Sequence, residues 1–286
     1  MKSRFINILA IILFGLLVTG FSNEEIANTR IFILAPASQV SPGLLSETAT
    51  IITARLNDFG PDKFNVSILP GKNQIQVSIT GNQDVELLEN LLTHKGIIGF
   101  YETYNQKSLS ELLKGDDRLF SLFGGLNSGN TGARIGCKEL SEIGKVNDYL
   151  SSLGLEHECK FAWSQFFDKP ETCLYALRDE AGKGAILTGA DVESMKFKKD
   201  RKSKNNTIDI RFKKSAIETW SGLTRRNLNE AIAIVLDEQV IFAPVVQSVI
   251  EGGHSSISGA FTRDQARYIA ALGNNGELPV SIQVVK

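Results

Sequence analysis

The sequence predicts an α+β protein made of two ferredoxin-like (βαββαβ) sandwiches, a base and a head, joined by a mixed insertion. Three observations predict it. Phe64, Val66 and Ile68, then Ile75, Val77 and Ile79, alternate with polar residues, the period of strands with one buried face. Leu45, Ala49, Ile52, Leu56 and Phe59 recur at helical spacing and form one apolar face. Residues 231–236, Ala-Ile-Ala-Ile-Val-Leu, are continuously apolar, as in a strand covered on both faces.

The 286-residue chain opens with Lys2 and Arg4, an apolar run over 5–21 and then polar Ser22-Asn23-Glu24-Glu25. That is the form of a secretory signal, with Val18 and Gly20 at the −3 and −1 positions for cleavage. The run of roughly 17 residues is also just long enough to cross a bilayer, so residues 1–22 read as a signal peptide or a membrane anchor. Either way the rest is expected outside the cytoplasm.

Residues 26–105 are expected to form the base domain. Residues 31–34 give a short strand, and the helix over Leu45 to Phe59 stops at Gly60-Pro61. A hairpin turns at Pro70-Gly71-Lys72-Asn73. Asn82 can cap a second helix carrying Val85, Leu88, Leu91 and Leu92, and residues 97–104 return as the last strand. The order is that of a split βαβ sandwich.

Residues 106–183 form the insertion or linker. Helices are expected over 108–113 and 139–153, separated by a Gly/Asn/Ser-rich loop at 124–136. Residues 161–165 and 174–177 can pair around Asp168-Lys169-Pro170.

Residues 184–286 form the head domain. Ile208, Ile210 and Phe212 alternate as a strand, and Ser215 with Glu218 has capping-box spacing before a helix lined by Ile217, Trp220, Thr224 and Leu228. The strand at 231–236 is followed by Asp237-Glu238-Gln239 and a second apolar run over 240–250, a hairpin. Pro244 cannot donate to a ladder, which places it at a bulge or on an edge. Gly252-Gly253 ends that strand, residues 256–261 are extended, and Thr262 with Gln265 caps a helix that runs to residues 273–276. Residues 280–285 close as a strand.

Several blocks resemble one family in its own order: Leu187-Thr188-Gly189-Ala190-Asp191, Leu223-Thr224 with Asn227, and residues 231–237. Ala243-Pro244, Gly252-Gly253, Ile257-Ser258-Gly259 with Phe261-Thr262, and Leu278-Pro279 complete the set. Together they closely resemble the head of the first periplasmic domain of SecD, a subunit of the bacterial protein-export machinery. The base is similar too, ending in Gly99-Phe100-Tyr101-Glu102-Thr103-Tyr104.

The resemblance implies a domain that grips an emerging, unfolded chain while head moves relative to base, driven by a proton-conducting membrane part. The sequence ends at Lys286, where the family enters its next membrane helix, so a stand-alone SecD-like paralogue without proton coupling of its own is expected. The sequence also departs from the family. The Asp-Leu-x-Gly-Gly motif is missing around residues 31–35, and Glu238 follows Asp237 where glycine is usual, so another turn geometry is expected there.

Chemistry-bearing residues are sparse. The net charge of −1 favours neither nucleic acid nor an anionic membrane. The basic stretch 196–214 offers only Phe197 and Phe212 for stacking, so a solvated hairpin is expected rather than an RNA-binding face. His94, His157 and His254 are far apart, and Glu156-His157-Glu158-Cys159 supplies at most two ligands of sensible geometry. No metal or cofactor is expected, and no nucleophile or phosphate-loop pattern appears. Cys159 and Cys173 flank the expected hairpin and form the candidate disulfide, leaving Cys137 as the odd thiol.

The strongest surface candidate is the apolar arm Phe242, Val245, Val246, Val249 and Ile250. Both odd and even positions are apolar, so something must cover each face. Either the helices and insertion do so, or a partly open groove takes an extended segment of another polypeptide. The expected function is a non-enzymatic periplasmic module that assists Sec-dependent translocation by binding an emerging secreted polypeptide or a translocase membrane subunit. The alternative is a structural or oligomerising envelope protein that keeps the fold without client binding.

Overall fold

The computed structural model describes residues 28–127, 132–155, 157–164, 171–199, 206–259 and 261–285. The expected signal or anchor, the Asp168-Lys169-Pro170 turn, Glu156 and the basic residues 200–205 lie outside them. Among the described residues no helix is long and apolar enough to cross a membrane.

In chain order the first elements are β1 (Thr29–Pro36), α1 (Pro42–Phe59), β2 (Lys63–Ile68), β3 (Ile75–Thr80), α2 (Val85–Thr93) and β4 (Ile98–Tyr104). Next come α3 (Gln106–Leu112), α4 (Arg118–Ser121), β5 (Arg134–Glu139), α5 (Ile143–Ser151), β6 (Cys159–Trp163), β7 (Glu171–Arg178), β8 (Leu187–Thr188) and β9 (Val192–Lys199). The chain then forms β10 (Asn206–Phe212), α6 (Ile217–Arg226), β11 (Ile232–Leu236), β12 (Gln239–Phe242), β13 (His254–Ser258), α7 (Arg263–Asn275) and β14 (Ile282–Val284). The architecture is mixed α+β with several sheets. It divides into two units, Met1–His94 with Leu278–Lys286, and Lys95–Glu277.

In the first unit an antiparallel sheet runs β14-β1-β3-β2. Ile75, Val77 and Ile79 on β3 are buried with Ile52, Leu56 and Phe59 of α1 and Leu88, Leu91 and Leu92 of α2. Ser41 caps α1, accepting from Leu44 N, and Gly60 ends it in the left-handed region at φ 72°, a conformation glycine adopts without a steric penalty. Arg55 is fully buried. Its Nη1 donates to the carbonyls of Leu91 (3.3 Å) and His94 (2.6 Å), satisfying acceptors that the last turn of α2 leaves open. The cap of α2 is Asp84, which accepts from Leu87 N, in place of the expected Asn82.

The second unit holds two sheets. One runs β12-β11-β4-β7-β5, with β6 on β7 and β8 on β4; the other runs β13-β10-β9. Ile98–Tyr104, expected as the last strand of the base, pairs instead with β11, β7 and β8. All but one of its residues are buried, and a strand covered on both faces belongs inside a sheet. The base sheet gains β14 beside β1 instead, with Leu34 opposite Val284. The strands expected to share one head sheet are likewise divided. β11, buried at every position, needs neighbours on both sides and takes β4 and β12, whereas β10 alternates and pairs with β9 and β13.

Thr262 and Gln265 form the expected capping box of α7. Ser215 and Glu218 do not cap α6: a 3₁₀ turn, Lys214–Ala216, precedes it and Ala216 sits at its N-cap. At the β11–β12 turn both Asp237 (φ 47°) and Glu238 (φ 70°) are left-handed. That is the requirement of a type I′ hairpin turn, so the turn keeps the hairpin form despite lacking glycine. Asp237 is anchored by Gly96 N (2.9 Å) and Ile97 N (2.8 Å), which donate to its carboxylate. Glu238 is left-handed as well, and its carboxylate accepts from Lys160 Nζ at 3.3 Å on the surface.

In the insertion, Leu109, Leu119, Phe120, Ile135, Val146 and Leu174 form a separate core with Tyr104. The disulfide joins Cys137 to Cys173, not Cys159 to Cys173. Register is the reason: β5–β7 pairing sets Cys137 directly opposite Cys173, whereas β6–β7 pairing sets Cys159 opposite Arg178. Cys159 is a buried free thiol, and burial pushes it up to about 12.

Replacing Glu238→Gly relieves a left-handed side chain and is expected to raise stability by about 1 kcal/mol, read as a higher urea midpoint at unchanged m-value. Reducing the Cys137–Cys173 bond, which spans a sequence separation of 36, lowers stability by up to about 3–4 kcal/mol, read by thermal denaturation with and without reductant. Cys159 resists alkylation at pH 8 until the chain unfolds. Its unfolded counterpart ionises near pH 8.5 and the folded thiol only near 12, so its contribution to stability falls as pH rises through that window.

Candidate functional site

The apolar arm follows β12. After Phe242 the ladder becomes intermittent: Ile232 N donates to Pro244 O (3.1 Å), Val246 N to Glu230 O (2.9 Å) and Asn229 N to Val246 O (2.9 Å). Pro244 therefore lies past the regular strand and contributes only its carbonyl, as expected of a residue without an N–H. Ile250 N donates to Thr224 Oγ1 at 3.0 Å, and Thr224 Oγ1 donates to Ser221 O. This hydroxyl, fully buried on α6, pins the far end of the arm.

The C-terminus of α6 is fixed to β4 in turn. Arg226 Nε and Asn227 Nδ2 each donate to Glu102 Oε1 at 2.6 Å, and Asn227 Nδ2 also reaches Leu223 O. Thr224 and Asn227, singled out by resemblance, thus work as fasteners for the arm and the helix beneath it.

The five arm residues do not share one environment. Val245 is 39% exposed and Val246 8%; Phe242, Val249 and Ile250 are half-buried. Val245, Val246 and Ile250 line an apolar cavity of about 210 Å³. Its wall is completed by Ile210, Trp220, Ile232, Ile234 and Ile257. Phe242 faces Phe261, ring centroids 5.4 Å apart, and with Val249 stays outside the lining.

Sequence reasoning places Trp220 and Ile210 on buried faces and misses Ser255 and Ser256, which also line the cavity. Only the pairing of β13 with β10 brings these serines to it, and no local signal in the sequence carries that. Trp220 stacks with Phe212 (4.6 Å) and meets Phe100 edge-on (5.8 Å). Its Nε1 and Ser255 Oγ are buried without a hydrogen-bond partner among the described residues, where such groups are ordinarily satisfied.

Among the described residues no three His, Cys, Asp or Glu side chains are grouped to hold a metal. The main chain of His157 and Glu158 accepts from Ala181 N and Asp179 N. On the basic stretch, Lys198 pairs with Asp209, His254 lies 3.7 Å from the same carboxylate, and Arg211 sits 3.9 Å from Glu193. Burial raises the Asp209 carboxyl, but hydrogen bonds from Lys198 and Ser256 outweigh it and hold the group below its ordinary value.

Known proteins share this region of the chain. Residues 172–280 match the family described as SecDF, P1 head subdomain. The SecD subunit of Acidaminococcus fermentans is 33% identical over 116 residues, 41% of this chain and 27% of that protein. That of Petrotoga mobilis is 24% identical over 244 residues, 84% of this chain and 45% of that protein. The chain therefore spans less than half the length of either relative. A solved structure of SecDF, a membrane component that enhances protein export, superposes with a TM-score of 0.50 at 20% identity, covering 90% of this chain and 98% of that one. SecDF in its super-membrane-facing form gives a TM-score of 0.53 at 19% identity, covering 98% of this chain and 35% of that one. Over residues 172–280 the chain is thus similar to the SecDF P1 head subdomain, and its fold resembles that of the solved SecDF structures.

Thr224→Val keeps the volume and removes the acceptor for Ile250 N, leaving a half-buried donor open. The expected loss is about 1–2 kcal/mol, with amide exchange accelerated at Ile250 ahead of the remaining strands; unchanged exchange there would show the hydroxyl is not the fastener.

Proposed function

We propose that the chain is a periplasmic SecD-like module that assists Sec-dependent translocation by holding an extended, apolar segment of an emerging polypeptide at residues 242–250. The observation that carries this reading is the cavity of about 210 Å³ beneath an arm whose Val245 stays 39% exposed. Its volume falls below the ~300–1,000 Å³ usual for small-molecule sites, which suits one or two aliphatic side chains of a chain passing over it. Apolar walls select side chains by burial and not by sequence, at roughly 25 cal/mol per Å² of apolar surface removed from water. Broad client acceptance is what an export accessory needs.

The SecD relatives are protein translocase subunits, and the matching head subdomain supports the same role here. In this reading Phe242 and Val249 form the rim, while Val245, Val246 and Ile250 form the seat. The module works beside translocase membrane subunits, held at the inner membrane or released from it by residues 1–22. No chemical step is assigned to it. The first unit, with its β-α-β-β-α-β order closed by β14, is read as a ferredoxin-like base.

The test is photocrosslinking in cells from a benzophenone side chain at position 249 to a secreted precursor arrested during export. Crosslinks to the precursor are expected. Val245→Asp, at an exposed position, is expected to reduce them at least tenfold while leaving the unfolding free energy within about 0.5 kcal/mol of the parent. Crosslinks only between copies of this chain would instead support a structural envelope role.

A further inference from the structure

The cavity lies between two strand edges, and the hydrogen-bond pattern says which main-chain groups each edge presents. Phe212 N donates to Gly253 O at 2.8 Å, and the β10–β13 register continues as Arg211↔His254, Ile210↔Ser255 and Asp209↔Ser256. Hydrogen-bonded pairs alternate along an antiparallel ladder. Gly253, Ser255 and Ile257 therefore direct their N–H and C=O towards β10, and His254, Ser256 and Ser258 direct theirs away from it. β13 is the last strand of its sheet, so among the described residues these outward groups form an open edge.

The arm repeats the arrangement. Pro244 and Val246 bond back to residues 229–232, so the alternate residue, Val245, directs its main chain to the opposite side. Among the described residues its carbonyl meets the exposed side-chain amide of Gln247, at 3.4 Å. Val245 and Ser256 both line the cavity. The space is thus bordered on one side by the edge of the three-stranded sheet and on the other by an extension of the larger sheet, with apolar side chains as its floor.

We infer that the client enters this cleft as an added β-strand, pairing its main chain with Ser256 on β13 and with Val245 on the arm, while an aliphatic side chain fills the cavity. This deepens the function proposed above and rests on it. The occupant is a polypeptide in extended form, because only a main chain offers alternating donors and acceptors to both borders at strand spacing. An unbranched lipid or detergent chain would satisfy the floor and neither edge. Strand addition also explains tolerance of sequence: backbone pairing supplies affinity common to all chains, and the cavity asks only for an apolar residue at one position.

The experiment uses the purified full chain and a fluorescein-labelled octapeptide of alternating threonine and valine, with binding read by anisotropy. Two further peptides carry N-methyl groups on every threonine or on every valine. Each methylated peptide is expected to bind at least tenfold more weakly, since each loses the donors towards one border. Amide exchange at Val245 and Ser256 is expected to slow at least tenfold on binding the unmethylated peptide. Ser256→Pro, which removes an N–H that β10 does not use, is expected to weaken the unmethylated peptide similarly. Equal binding of all three peptides, still lost in Val245→Asp, would overturn strand addition and leave a groove that holds side chains alone. No binding of any peptide to the parent protein would overturn both readings.

Discussion

The antiparallel pairing of β4 with β11 is the constraint on which the second unit depends. Five consecutive register pairs, from Ile232↔Glu102 to Leu236↔Ile98, join two strands that are almost wholly buried. Such strands cannot sit at an edge, because their main-chain groups would be buried unpaired and each would carry a penalty of a few kcal/mol. Each therefore recruits a second neighbour: β12 beside β11, and β7 and β8 beside β4. The insertion is attached through this demand, since β7 brings β5 and β6 with it.

The same constraint produces the arm. β12 is paired with β11 along one edge and reaches only to Phe242, after which Pro244 withholds a donor. Beyond that proline the chain is tethered through Pro244 and Val246 and fixed at its far end by Thr224, with the main chain of Val245 directed away from the sheet. An open edge is usually a liability that proteins blunt with charge or proline. Elsewhere this unit does protect its edges: the side chain of Asn274 bonds both the N–H and the C=O of Met195 on the outer strand β9 (2.6 and 2.8 Å). The border between Val245 and Ser256 has no such cover among the described residues.

The fasteners around the site share one chemistry. Glu102 accepts from the side chains of Arg226 and Asn227, and Asp237 accepts from the main chain of Gly96 and Ile97, in each case from a distant part of the sequence. Ionised acceptors facing N–H groups give short, directional bonds, so these contacts fix orientation where apolar packing fixes only proximity. The aromatic group Phe100, Phe212 and Trp220 packs at centroid separations of 4.6 to 5.8 Å and gives the cavity a rigid wall on the α6 side.

Periodicity and caps were legible in the chain. The alternation at Ile75–Ile79, the helix ended by Gly60, the Thr262–Gln265 box and the apolar run at 232–236 all report local rules: which faces are buried and where a helix begins or stops. On β2 the same alternation leaves Phe64 and Val66 half-buried and Ile68 exposed. The ordered blocks from Leu187 to Pro279 likewise carried the SecD-like character of the head, and the apolar arm was visible as a surplus of aliphatic residues. The tertiary structure alone decided partnership. It sent residues 98–104 to β11 rather than to the base, placed Cys137 and not Cys159 against Cys173, and assembled Val245, Trp220 and Ser256 around one cavity. The reason is that a residue's period reveals that its side chain must leave water but not what will cover it. That choice is made by the register of strands far apart in sequence, where one residue's shift exchanges one neighbour for another.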